Sequence, residues 1–90
     1  MKNTRELAEA FSRIKDPKAM RQFFDEIFTP AERSDLVLRW ELMKMLRQGR
    51  PQRAIAAELG ISLCKITRGA KIIHDPKSVT NQLLNHSFNV

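Results

Sequence analysis

Apolar residues recur at helical spacing in a series of short runs, and most runs open on a capping residue or a proline. Leu7, Phe11 and Ile14 stand at i, i+4 and i+7 behind Asn3 and Thr4, either of which can cap a first helix. Asp16-Pro17 sets a side-chain acceptor ahead of a proline in the first helical position, where the missing N–H is harmless, and Met20, Phe23, Phe24 and Ile27 form the stripe of a second helix. Thr29-Pro30-Ala31-Glu32 reads as a capping box: the threonine oxygen takes the third helical N–H while Glu32 reaches back to the Thr29 amide. The third helix that starts there carries Leu36, Leu38, Trp40, Leu42, Met43, Met45 and Leu46. Being apolar around much of its circumference, it belongs at the centre of the fold and suits an interface with a second copy. Gly49 can end it in the left-handed conformation.

Residues 50–71, RPQRAIAAELGISLCKITRGAK, carry the most specific pattern. A fourth helix from Pro51 to Leu59 would bury Ile55, Ala56 and Leu59, with Ala56 small because the next helix crosses close over it. Gly60 can take positive φ and turn the chain, Ile61 plugs the junction, Ser62 caps the fifth helix, and Ile66 packs back into the angle. The spacing of Ala56, Gly60 and Ile66 fits a helix-turn-helix at 52–71, in which the second helix offers its N-terminal residues to base edges in a major groove. An ordinary αα-corner needs the same three residues. The outward positions tip the balance, since Arg53, Lys65, Thr67, Arg68 and Lys71 are all cationic or hydrogen-bonding.

Asp75-Pro76 repeats the cap-plus-proline signal and predicts a last helix with Val79, Leu83 and Phe88 on its buried side. No strand-like alternation is sustained and tyrosine is absent, so the expected class is all-α, six short helices in a single domain over residues 1–90. A chain of 90 residues with 42% apolar content has a modest core, and association with a second copy suits that size.

Charge changes the picture through its distribution. Residues 1–43 hold eight Lys/Arg against eight Asp/Glu, whereas residues 44–77 hold Lys44, Arg47, Arg50, Arg53, Lys65, Arg68, Lys71 and Lys77 against Glu58 and Asp75 alone. The net +6 therefore lies around the helix-turn-helix, where it favours a phosphate-bearing partner. Other chemistry is thin. There is no nucleophile with a base, no paired carboxylate set and no metal-ligand spacing, so neither an enzyme nor structural zinc is expected. His74 and His86 read as a helix-end residue and a surface residue, and Cys64 as packing rather than a redox thiol. A lone cysteine and the lack of any apolar run near the roughly 20 residues of a membrane span point to a cytoplasmic protein.

Three segments, FTPAERSDLVLRW at 28–40, QRAIAAELGIS at 52–62 and KITRGAK at 65–71, resemble the tryptophan repressor family over a stretch from about Phe24 to Pro76. The resemblance implies an intertwined homodimer that represses transcription from operator DNA, with L-tryptophan as corepressor and no other cofactor, at genes of tryptophan biosynthesis or uptake. It implies an effector site in which the indole lies between the guanidinium groups of Arg39 and Arg68, stacking on their planes while Arg68 pairs with the carboxylate. Thr29 and the carbonyls of Glu26 and Phe28 would come from the other subunit, Met43 would form a wall, and Gly69 would admit the ligand. Ile72 stands near the ligand's amino group where the family commonly has a small or hydroxylic residue, and Lys65 where it often has threonine.

For DNA, the same resemblance implies Arg53 as a bidentate guanine reader, Leu63, Cys64 and Lys65 facing bases, and Gln52, Thr67 and Lys71 reaching phosphates or waters. Two other readings stand beside it: a regulator of the same fold with a different or no small-molecule effector, and a protein-interaction module whose third helix is a docking surface.

Overall fold

The computed structural model describes residues 3–87, and among them forms six helices and no strand. They are α1 (Thr4–Arg13), α2 (Pro17–Ile27), α3 (Pro30–Arg47), α4 (Gln52–Leu59), α5 (Leu63–His74) and α6 (Val79–Ser87). Residues 1–34 and 35–90 form two compact units.

In the first unit, local hydrogen bonds set the helix boundaries. Asp16 accepts from the amides of Lys18 and Ala19 at 3.4 and 3.2 Å, with Pro17 opening α2. At the start of α3 the Glu32 amide donates to Thr29 Oγ1 at 3.2 Å and the Thr29 amide to Glu32 Oε1 at 2.9 Å, the reciprocal capping box. Asn3 stands at the N-cap of α1 without a side-chain cap bond. Phe11 meets Phe23 edge-on at 5.2 Å between centroids, and Phe28 packs on both Phe11 and Phe24. No described residue of this unit is buried, and Leu7 and Ile27 are exposed.

The second unit has the core. Ile55 of α4 and Ile66 of α5 are fully buried against Leu42 and Met45 of α3, with Leu46, Ala56, Leu59 and Ile61 packed around them. Each isoleucine contributes about 1.5–3 kcal/mol by burial. After α3 the chain turns at Gly49, whose φ of 81° is in the left-handed region as its position required.

The last helix departs from expectation. Val79 and Leu83 are 65% and 51% exposed, and the buried residue is Leu84, at 0%. Asp75 does not cap α6. Its amide closes on the Ile72 carbonyl at the end of α5, its Oδ1 accepts from the Lys77 amide and its carbonyl from the Ser78 amide, making a separate turn. Ser78 then caps α6 by accepting from the Asn81 amide at 3.2 Å. The side chain of Asn81 donates to the carbonyls of Ile73 and Asp75 at 2.7 and 3.2 Å, while Arg47 Nη1 donates to its carbonyl and to its Oδ1, each at 3.1 Å, and Arg47 Nη2 donates to Asn85 Oδ1. These bonds fix the rotation of α6 with Asn81 and Leu84, at i and i+3, turned inward. The expectations for Phe88 and for the side chain of His86 lie outside the described residues.

Candidate functional site

The junction of α4 and α5 is built as the spacing requires. Gly60 has φ 65° and ψ 36°, and its amide closes on the Ala56 carbonyl at 2.9 Å. An alanine there would meet no neighbouring atom but would have to hold a left-handed backbone. Ser62 Oγ accepts from the Lys65 amide at 3.4 Å and so starts α5.

Behind α5, facing α3, lies a cavity of about 410 Å³, within the range of small-molecule sites. From α3 it is lined by Asp35, Leu38, Arg39, Leu42 and Met43, from the turn by Ile61, and from α5 by Lys65, Arg68, Gly69 and Ile72. Five expected effector residues, Arg39, Met43, Arg68, Gly69 and Ile72, thus share one cavity. Gly69 has a second reason to be glycine. A Cβ there would stand 3.1 Å from Leu46 Cδ1 and 3.3 Å from Leu42 Cδ2, so the bare backbone lets α5 approach α3 closely.

Thr29, Glu26 and Phe28 do not line this cavity. The Thr29 hydroxyl oxygen accepts in the α3 cap, the Glu26 carboxylate accepts from Gln22 Nε2 at 3.1 Å, and the Phe28 carbonyl accepts from Arg33 Nη1 at 2.6 Å. Asp35, Leu38, Leu42, Ile61 and Lys65 line it without having been expected there. Most of them carried a signal: 35, 38, 39, 42 and 43 make one helical stripe on α3, and 65, 68, 69 and 72 make one on α5.

On its other side α5 borders an open depression lined by Leu63, Cys64, Thr67, Arg68 and Lys71. Four of the expected DNA-facing residues therefore meet on one face, joined by Arg68. Lys65 borders the cavity instead, although it too is exposed. Gln52 and Arg53 are exposed on the first turn of α4. The Thr67 hydroxyl donates to the Leu63 carbonyl of its own helix at 2.9 Å, leaving oxygen lone pairs outward.

Two residues of the basic segment are paired with carboxylates. Lys44 pairs with Glu41 at 3.5 Å and Arg50 with Glu58 at 2.6 Å, whereas Arg53, Lys65, Arg68 and Lys71 form no ion pair among the described residues. The Arg50 hydrogen bond and charge hold the Glu58 carboxyl below its ordinary value of 4.5. A depressed carboxylate pKa stabilises the fold above the unfolded value, and this contribution is lost as pH falls through the folded one. An NMR pH titration is expected to find Glu58 titrating below that value, and Arg50→Ala to return it there. An unchanged Glu58 midpoint in the variant would remove the pair from the account.

Among the described residues no group of three or more His, Cys, Asp or Glu could hold a metal ion, and no helix is long and apolar enough to cross a membrane. Residues 2–87 match the family described as Trp repressor protein. The Trp operon repressor homolog of Chlamydia caviae is 36% identical over 72 residues, which are 77% of this chain and 71% of that protein. No solved structure matches. A family match that takes in all six helices, with a relative aligned over most of both chains, establishes that this chain belongs to the Trp repressor family.

Proposed function

We propose that the chain is a sequence-specific DNA-binding transcriptional repressor, active as a homodimer and switched by L-tryptophan as corepressor. Its residues 1–90 act as one DNA-binding domain, with α4 and α5 as the helix-turn-helix and α5 entering the major groove, the docking described for helix-turn-helix proteins, this family among them. One observation carries the reading: α5 borders both the cavity and the outward depression, and Arg68 lines both. A ligand held behind α5 changes how that helix stands on α3, and so where Leu63, Cys64 and Lys65 meet base edges.

In this reading Arg39 and Arg68 sandwich the indole, Met43, Gly69 and Ile72 bound it, and a second copy brings Thr29 and the carbonyls of Glu26 and Phe28. The exposed Leu7 and Ile27, in a unit with no buried described residue, favour a covering partner. The relative's name, Trp operon repressor homolog, favours genes of tryptophan biosynthesis or uptake as targets. Family members are regulators, which argues against an enzyme.

The test is selection of duplex DNA from a random-sequence pool with and without L-tryptophan. Enrichment of a two-fold symmetric sequence only in its presence is expected. Equal enrichment without it would favour the second reading, a regulator of the same fold with a different or no effector, which Ile72 in the cavity wall supports because it offers no hydrogen bond. Arg53→Ala is expected to lose about 1–3 kcal/mol of discrimination at one base pair, read by anisotropy on matched and mismatched duplexes. Uniform weakening on both would reduce Arg53 to a phosphate contact. Gln52, Thr67 and Lys71 serve phosphates or waters in this scheme.

A further inference from the structure

The cavity contains a carboxylate that the effector contacts above do not use. Asp35 lines it one helical turn before Arg39, and α5 contributes Lys65 and Arg68. Asp35 and Arg39 stand at i and i+4, the spacing at which helix-surface pairs close. Yet among the described residues none of these four side chains forms an ion pair. One anion and three cations thus border a cavity whose remaining lining is apolar. A small molecule with an apolar body, a carboxylate and an ammonium would satisfy both signs at once.

The effector contacts above give the ammonium no charged partner. Ile72 cannot accept a hydrogen bond, and a carboxylate offers a cation a charge-assisted bond stronger than a neutral carbonyl's. Among the described residues that line the cavity, Asp35 is the only carboxylate. We propose that Asp35 is the ammonium-recognising residue of this cavity and that, opposed by Arg68 and Lys65 at the carboxylate, it selects zwitterionic aromatic amino acids over acids lacking the amino group. This rests on the cavity being the effector site. Selection has an attractive and a repulsive part, since the same carboxylate that holds an ammonium disfavours an anion with none.

Calorimetric titration of the full chain with L-tryptophan and with indole-3-propionate, in wild type and Asp35→Asn, tests the assignment. Asp35 is exposed and asparagine matches its size, so a folded variant is expected, with helical circular dichroism as the check. Wild type should prefer tryptophan, and Asp35→Asn should reduce that preference about tenfold. Asp35→Glu should restore part of it. Both compounds binding with a preference unchanged by Asp35→Asn would overturn the role of Asp35 and leave the cavity as the effector site. Neither compound binding wild type would overturn both.

Discussion

Ile66→Ala is expected to lower stability by about 3 kcal/mol, a large part of the roughly 5–15 kcal/mol of a typical domain. Ile66 is fully buried at the point where α3, α4 and α5 meet, in contact with the cluster of Leu42, Met45 and Ile55. Truncation there removes apolar contact and leaves a cavity whose walls belong to three helices, so little of it can close. Denaturant unfolding would read the loss as a lower midpoint at unchanged slope. Leu63→Ala is the control, because Leu63 is on the same helix but 50% exposed, and its loss should stay within about 0.5 kcal/mol. Equal midpoint shifts for the two variants would mean that Ile66 is not the keystone of the junction.

Arg68→Ala is expected to weaken L-tryptophan binding on the order of a hundredfold, the joint loss of a charge-assisted hydrogen bond and of stacking on the indole. Arg68 is exposed and forms no ion pair among the described residues, so the substitution should leave the fold intact. Isothermal titration calorimetry on wild type and variant gives the comparison. Arg68→Lys separates charge from shape: lysine keeps the cation but lacks the planar fork, so partial recovery is expected. Wild-type affinity in Arg68→Ala would remove Arg68 from the ligand site.

Much of the fold was legible because its punctuation is chemical. Asp16-Pro17, the Thr29 and Glu32 pair, Gly49, Gly60 and Ser62 each act through the side chain or the φ angle that made them recognisable. The last helix was misread because Asp75-Pro76 looks the same whether the aspartate caps a helix or closes a turn. The choice depended on Asn81 binding the end of α5 and on Arg47, thirty-four residues earlier, binding Asn81. No local pattern encodes that meeting. At the cavity, the arginines and Gly69 were legible through a family motif, whereas Asp35, within the same 28–40 segment and on the α3 stripe, had no role attached to it. Its place became visible only when α3 and α5 were brought face to face with their stripes aligned. The family resemblance implies that Lys65 faces bases, but its register on α5 also brings it to the cavity rim.

The Arg47 clamp also bears on how the chain folds. Arg47 makes side-chain hydrogen bonds to residues thirty-four and thirty-eight positions later. The side-chain caps that start α2, α3, α5 and α6 are each made within three residues. Nucleation can therefore proceed helix by helix, and the entropy of closing long loops falls on packing α3 against α5 and then on joining α3 to α6. In kinetic terms, α4 and α5 should be formed early and α6 docked late, so destabilising the clamp would accelerate unfolding more than it slowed folding.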